Sequence, residues 1–580
     1  MKKGAGIGLL LLVLGQCPGF GQPAYWFADI SRTAGVANPG KNRGVAIADY
    51  DGDGREDVYV SVWEGANRLY RNLDGLSFEE RGGAAGVAHP GNSWASAWVD
   101  FNSDGYPDLY VSNYEAPDVL YRNNGDGTFT DVTLQARIGN IGKPYSVNVA
   151  DYDRDGRPDI YVANFRSQNA LFRNNGDGTF SNYIFPSGAL DDQTNAMAAL
   201  FFDSDLDGDQ DLYLIHDGQA YIFYENTGRG NFVDRSAASG LNYQGFGMGV
   251  DAGDINRDGY PDLYVSNLYE NNLFLNNGDG TFTDIATAAG VADYGMGWGV
   301  SFLDFDNDGW LDLYLGNDSW FSPYPNVLYR NKGDLTFEIV EPGSPLSGMQ
   351  GTYGTGVFDS NRDGHLDIGV ANSGSGDVFQ LFQNRGGANH WIGFRLEGRE
   401  SNRMAIGARL RGKDQSGQWH HTQLISGSGF ASQSSLVKTW GLGTATQLDS
   451  LWIYWPSGRE QVITDLSGDT YYIITEGETA VPETGVTVAT GTQVLPPSVV
   501  IARIYPQPAN DELQLEWLAG DVGDDCRVRI ADLSGRILRQ YRCTASSSCQ
   551  LDLDGLAPGL YVLELQTTKL RDVQKLVIGR

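Results

Sequence analysis

A chain of 580 residues exceeds one ordinary hydrophobic core, so two to four domains are expected. Its formal net charge of −32 argues against holding nucleic acid or an anionic membrane through charge. Glycine and aromatic residues are abundant and no long stretch has helical periodicity, which predicts many short strands joined by tight turns.

The first element in chain order reads as a signal peptide over residues 1–21. Lys2 and Lys3 precede an apolar run from Ile7 to Leu14, and Gly19-Phe20-Gly21 is a small-x-small cleavage site. The run is too short to anchor in a bilayer, and no other segment reads as a membrane span.

A repeat follows. The pattern D-x-[DN]-x-D-G-x-x-D begins at Asp49, Asp100, Asp151, Asp203, Asp254, Asp304 and Asp359, at intervals of 51, 51, 52, 51, 50 and 55 residues. A fixed period of this size marks a propeller or solenoid. Each copy stands between two strand-like runs, as in "GVAIA" and "DVYVSV" around the first. A second turn signature, "RNNGDGTF" at Arg122 and Arg173, "LNNGDGTF" at Leu275 and "RNKGDLTF" at Arg330, predicts another hairpin in each period. Four strands per period make one blade, so residues 25–388 are expected to form a seven-bladed β-propeller in an all-β chain.

The chemistry of the repeat is that of a hard cation. Ca²⁺ takes six to eight oxygens, and an EF-hand loop supplies carboxylates at positions 1, 3 and 5, a glycine at 6 and a backbone carbonyl at 7. These loops copy that half without flanking helices or the glutamate at position 12, and position 9 closes the site. The expected ligands at position 1 are the seven aspartates named above. Position 3 offers Asp51, Asn102, Asp153, Asp205, Asn256, Asp306 and Asn361, and position 5 offers Asp53, Asp104, Asp155, Asp207, Asp258, Asp308 and Asp363. Position 9 offers Asp57, Asp108, Asp159, Asp211, Asp262, Asp312 and Asp367. An uncompensated crowd of carboxylates repels itself, so up to seven Ca²⁺ are expected rather than bare acidic turns. The three loops with asparagine at position 3 are expected to bind less tightly.

These repeats resemble the FG-GAP/VCBS repeats of integrin α-subunit propellers. "FADISRTAGVA" at Phe27 and "FTDIATAAGVA" at Phe282 are similar to the secreted family typified by cartilage acidic protein. The resemblance implies extracellular, calcium-stabilised recognition modules, usually without catalysis.

Past the propeller the pattern changes. "NHWIGFRLEG", "SGSGFASQSS", "WGLG" and "LDSLWIYWPSGREQ" within residues 389–476 resemble an ASPIC/UnbV domain, and alternation such as Leu451-Trp452-Ile453-Tyr454-Trp455 predicts a small β-domain. His420 and His421 are neighbours, whose side chains would point to opposite faces of a strand, so no shared metal is expected there. Residues 477–497 lack Lys and Arg, are rich in Thr, Val and Pro, and read as a linker. Residues 498–580, with "IYPQPANDELQLEW" and "LDLDGLAPGLYVLEL", resemble the C-terminal sorting domain of the type IX secretion system, with Gln507 in place of its usual asparagine. That resemblance implies a β-sandwich, the secretion machinery as partner, and a secreted or bacterial cell-surface location reached through the periplasm. Cys526, Cys543 and Cys549 lie in this part; Cys543 with Cys549 is the expected pair, with Cys526 as rival.

Two function classes remain. One is a non-catalytic recognition or adhesion protein for a glycan or an extracellular protein. The other is a calcium-dependent polysaccharide lyase or hydrolase. No residue is assigned as catalytic, because the repeat accounts for nearly every Asp cluster and no Gly-x-Ser-x-Gly or His-Glu-x-x-His motif is present. Aromatic residues recur at matching places in the loops that should lie opposite the acidic turns: Trp63, Tyr114 and Trp320 in one set, and Trp94, Tyr145, Trp298 and Tyr353 in another. The second set, which Arg43, Met197 and Met248 complete, is expected to ring the central channel and to form a recognition face if it is exposed.

Overall fold

A computed structural model describes residues 25–191, 195–374 and 376–483, together with strands and short connections between 502 and 578. The signal-peptide segment and most of the expected linker lie outside the described residues. Residues up to 486 form one compact unit and those from 487 a second. Among the described residues no helix is long and apolar enough to cross a membrane.

In the first unit the predicted period becomes seven four-stranded antiparallel blades arranged in a ring, two neighbouring pairs of which are joined into eight-stranded sheets where Asp57–Ala66 pairs with Pro90–Val99 and Asp211–Ala220 with Gln244–Gly253. The inner strands are Lys41–Ala48, Pro90–Val99, Pro144–Ala150, Ala196–Phe202, Gln244–Gly253, Gly297–Leu303 and Thr352–Phe358. Six blades take their outer strand from the same repeat. The seventh takes it from the start of the chain, where Phe27–Asp29 pairs with Gln380–Asn384 and closes the ring. The second strand of every blade is buried on both faces, and blades pack through tyrosines such as Tyr59, Tyr110, Tyr161, Tyr213, Tyr264 and Tyr314, all fully enclosed. This is why these runs read as continuous apolar stretches rather than as strict alternation.

Five blades end in a single helical turn that the sequence reading did not separate from strand, for example Thr133–Ala136 and Ala286–Ala289. An aspartate closing the outer strand starts each of these two: Asp131 Oδ1 accepts the Thr133 N–H (3.0 Å) and Asp284 Oδ1 the Ala286 N–H (3.0 Å).

Residues 390–483 form a small β-sandwich of two four-stranded sheets around Ile392, Phe394, Leu410, Leu451, Ile453 and Trp455. Val481–Pro482 pairs with Thr470–Thr475, so this sandwich runs past residue 476. It belongs to the same compact unit as the propeller and stands on the acidic-loop end. Arg409 Nε pairs with Asp203 Oδ2 (3.1 Å), the Tyr471 hydroxyl donates to Asp359 Oδ2 (2.6 Å), and the Gly443 N–H donates to the Asn307 carbonyl (2.9 Å).

From the sandwich a loop, residues 425–437, enters the propeller channel and is stitched to inner strands of five blades. Val149 N–H donates to the Ser426 carbonyl (3.4 Å), Gly429 and Val250 exchange two backbone bonds (2.7 and 3.1 Å), and Ser435 N–H donates to the Val357 carbonyl (2.9 Å). Gln433 exchanges backbone bonds with Val45 and Ile47, while its side-chain amide takes the Trp98 N–H (2.6 Å) and donates to the Trp98 carbonyl (3.2 Å). Glycine is required where this loop passes closest: Gly427 has φ +83°, and a Cβ there would stand 2.4 Å from the Val147 carbonyl oxygen.

The second unit is a separate β-sandwich. Ala502–Tyr505, Glu512–Trp517 and Cys549–Asp552 form one sheet; Ile537–Cys543, Cys526–Ala531, Gly559–Gln566 and Arg571–Ile578 form the other. Its core includes Leu513, Leu515, Val528, Ile530, Leu563 and Leu576. The strand register sets Cys526 opposite Cys543, whereas Cys549 opposes Leu515 in the other sheet.

Candidate metal centres and the opposite face

Each acidic loop turns back on itself between the first and second strands of its blade. The glycine at position 6 has φ between +83° and +99° in all seven loops, which only glycine adopts freely. Position 4 is also left-handed, and six of its seven occupants are not glycine: Ser103, Arg154, Leu206, Arg257, Asn307 and Arg362. A left-handed non-glycine residue costs about 1–3 kcal/mol, so the surrounding loop must hold it.

Hydrogen bonds supply that hold. The position-1 carboxylate accepts the position-6 N–H at 2.6–3.0 Å in every loop. The position-9 carboxylate accepts, at 2.7–2.8 Å, the N–H of an asparagine that ends the third strand: Asn72, Asn123, Asn174, Asn226, Asn276, Asn331 and Asn384. The same asparagines reach out of their blade. Each side-chain amide donates, at 2.7–2.9 Å, to the position-2 carbonyl of the preceding acidic loop, and Asn72 bonds Ser360 to join the first blade to the seventh. Seven equivalent bonds thus tie the loops into a ring. The sequence carried this signal as the asparagine ending each "LYRN"-like run, and the sequence reading missed it.

The loops converge their carboxylates. In four of them three acidic oxygens lie within 4.8 Å of one another: Asp49, Asp51 and Asp53; Asp151, Asp153 and Asp159; Asp203, Asp205 and Asp207; Asp304, Asp306 and Asp308. Three of the four use positions 1, 3 and 5, and the Asp151 loop brings in position 9. In the asparagine loops, Asn102, Asn256 and Asn361 each donate to the position-5 carboxylate, Asp104, Asp258 or Asp363, at 2.8 Å. Those loops draw in an amide where the others set a third charge. The remaining predicted ligands, including Asp57, Asp108, Asp211, Asp262, Asp312 and Asp367, are buried at the loop bases.

Electrostatically these clusters are unfinished. Burial pushes the Asp49, Asp100 and Asp203 carboxyls up to about 6, Asp151 and Asp254 to about 7, and Asp108 to about 8, with neighbouring carboxylates adding to the rise. Arginines offset part of the charge: Arg71 Nε lies 2.5 Å from Asp51 Oδ2, Arg173 Nε 2.6 Å from Asp153 Oδ2 and Arg330 Nη2 2.7 Å from Asp306 Oδ2. Yet Asp51 Oδ1, Asp153 Oδ1, Asp159 Oδ2 and Asp203 Oδ1 are buried without a hydrogen-bond partner. Buried, unpartnered carboxylate oxygens converging on one point fit a hard cation.

At the other end of the channel, Phe430 from the inserted loop is fully buried. Its ring centre lies 4.7 Å from Trp298, 6.2 Å from Tyr145, 6.3 Å from Tyr353 and 6.4 Å from Trp94. The ring set therefore closes over a side chain of the same protein. Trp94 is 6 % exposed, while Tyr145, Trp298 and Tyr353 are half-buried and line a bowl of about 320 Å³. Arg43 lies over Trp94 and Tyr353, its guanidinium carbon 4.6 and 4.2 Å from their ring centres. Trp63 and Tyr114 are half-buried and pack on each other at 5.2 Å, whereas Trp320 is 63 % exposed. Beyond it, Phe321, Tyr269 and Tyr294 are exposed on the same end.

Comparison with known families assigns the parts. The FG-GAP-like repeat matches residues 49–111, 100–162, 151–214, 203–265 and 265–315; the ASPIC and UnbV domain matches 398–481; the secretion system C-terminal sorting domain matches 503–579. The chain thus carries FG-GAP-like repeats, an ASPIC/UnbV domain and a sorting domain, the last of which indicates type IX export to the cell surface or extracellular space. It is similar to cartilage acidic protein 1: 26 % identical to that of Xenopus tropicalis over 472 residues, 72 % of this chain and 71 % of the relative. With the Homo sapiens protein it shares 26 % over 460 residues, 72 % of this chain and 60 % of the relative. A lectin of Agrocybe aegerita, described as recognising non-reducing terminal N-acetylglucosamine, overlaps 55 % of this chain and 83 % of its own at 19 % identity and a TM-score of 0.37. The BP39L lectin of Burkholderia pseudomallei overlaps 60 % and 96 % at 8 % identity and a TM-score of 0.42.

Proposed function

We propose that this chain is an exported, non-catalytic recognition protein whose propeller is held together by calcium in its acidic loops. Its ligand, a glycan or an extracellular protein, meets the face away from those loops. The division of the two faces is the observation that carries this reading. The acidic-loop end is occupied by the ASPIC/UnbV sandwich, whereas the far end presents Trp320, Phe321, Tyr269 and Tyr294 at 63, 76, 65 and 58 % exposure. Large apolar groups gathered on one exposed face mark interaction surfaces, and aromatic side chains serve both sugar stacking and protein anchoring. Calcium is the cation favoured by an all-oxygen, carboxylate-rich loop.

The experiment is a glycan and surface-protein array probed with the calcium-loaded protein and with Trp320→Ala/Phe321→Ala. The reading expects a ligand bound by the native chain and lost in the variant at unchanged calcium content. Binding that survives the double substitution would move the ligand elsewhere. Release of reducing ends or unsaturated products from a glycan would replace recognition with polysaccharide cleavage.

A further inference from the structure

A cavity of about 560 Å³ lies where the propeller and the sandwich meet, beneath the inserted loop. This volume is within the range of small-molecule sites, ~300–1,000 Å³. One wall is the inner strand of the fifth blade with Asp251. The opposite wall is the strand Lys438–Gly443 of the sandwich, and Trp419 and His421 stand on a third side.

The polar groups of this cavity are out of balance. Lys438 is half-buried and donates to the Ser435 carbonyl (3.1 Å); among the described residues no carboxylate lies within ion-pair distance of it. An ammonium group has three N–H donors, so two are left over. The indole Nε1–H of Trp440, also on the wall, is buried without a partner. Ser434 accepts the Val357 N–H (3.1 Å), which leaves its own proton to donate. The acceptors on the walls are already engaged: the two oxygens of Asp251 take the Ala252 and Phe302 N–H groups, each at 2.9 Å, Ser428 bonds the same carboxylate, and the acidic-loop residues Asp254, Asp258 and Asp304, which also line the cavity, accept bonds within their own loops. What is missing is an acceptor-rich group in direct contact, since donors left without partners in a partly enclosed site are costly. Burial pushes the Lys438 ammonium down, and Asp251 and Glu56 counter only part of that.

We propose that this interdomain cavity is a binding site for a small sugar acid of hexuronate size, its carboxylate on Lys438 and its ring against Trp419. Lysine and indole N–H supply the donors a carboxylate needs. Trp419 already stacks under Arg411, whose guanidinium carbon is 4.0 Å from its ring centre, so the indole is fixed in place. This site is separate from the exposed far face and does not depend on the recognition reading.

The test is titration calorimetry on the full calcium-loaded chain with glucuronate and galacturonate, with glucose as the neutral counterpart and a glucuronate-terminated oligosaccharide as the second arm. One of the free uronates is expected to bind and glucose not to bind. Binding of the oligosaccharide as well would mean that the cavity admits a chain end; its failure would restrict the site to the free acid. Lys438→Met should weaken uronate binding by roughly tenfold to a hundredfold, the loss of a charge-assisted bond. Because that variant alters the interface between propeller and sandwich, a second measurement uses the native protein: acylation of the half-buried Lys438, followed by mass spectrometry, should be slowed by the uronate and not by glucose. Equal behaviour of uronate and glucose, no binding of either, or undiminished affinity in Lys438→Met would each overturn the proposal.

Discussion

Replacing Phe430 by alanine tests how the propeller and the ASPIC/UnbV sandwich hold each other. The side chain is fully buried, and four aromatic rings surround it with centres 4.7–6.4 Å away. Buried Phe→Ala changes cost about 3–5 kcal/mol through lost transfer energy and the cavity left behind. The lower end applies here, because the vacated space would open into the 320 Å³ bowl and fill with water instead of staying empty. A loss of about 3 kcal/mol is therefore expected in the unit that holds both parts. Calorimetry on the calcium-loaded protein should show its transition lowered by several degrees, and limited proteolysis should cut more readily within residues 425–437. Phe246→Ala is the control: that ring is 44 % exposed, so its removal should leave the transition in place. A Phe430→Ala transition indistinguishable from the control would refute the idea that the inserted loop is an energetic part of the core.

Further expectations follow from single side chains. Asn331→Ala removes the donor to the Ile255 and Leu311 carbonyls (2.9 and 3.1 Å) and should cost about 1–3 kcal/mol in calorimetry, more than Asn277→Ala in the exposed hairpin of the preceding blade. Burial pushes the Asp414 carboxyl up, but bonds from His420, Ser416 and the Gln418 N–H outweigh it and hold it at about 2. A folded-state value below the unfolded 3.8 means that its contribution is present above pH 4 and lost as pH falls toward 2. Asp414→Asn should accordingly flatten the acid limb of the stability profile between pH 4 and 2. Non-reducing peptide mapping of the sorting domain should link Cys526 to Cys543, which are partners in the register of two paired strands, rather than Cys543 to Cys549; a Cys543–Cys549 peptide would contradict that register argument.

Much of this was legible because the repeat is chemically explicit. Seven Asp-Gly loops at a near-constant period specify blade number, strand boundaries and the converging carboxylates. The positions of Trp94, Tyr145, Trp298 and Tyr353 relative to the first aspartate give their place near the channel, since every blade starts from its inner strand. What fills the channel was not legible. "SGSGFASQSS" has neither a strand nor a helix period, and its partners are backbone groups of Val45, Val149, Val250 and Val357, which no side-chain pattern reveals. The docking of the sandwich on the acidic-loop end was hidden for a related reason. Arg409 and Tyr471 read as ordinary strand residues until the fold sets them against Asp203 and Asp359. Left-handed backbone at Arg154 or Leu206 is equally silent in sequence, because neither residue type prefers it.

The central claim is that the acidic loops are cation sites on which the propeller depends. Extracellular calcium sites bind at roughly 10⁻⁴–10⁻³ M, and free calcium at tenfold above Kd contributes about 1.4 kcal/mol per site. Seven independent sites would then supply ~10 kcal/mol, comparable with the whole stability of a domain. The direct measurement is metal content by mass spectrometry together with the melting transition, before and after exhaustive chelation and after calcium is restored. Four to seven calcium ions per chain are expected, with a large fall in melting temperature on chelation and recovery on readdition. An unchanged transition in a chain shown to be free of divalent metal would contradict the account.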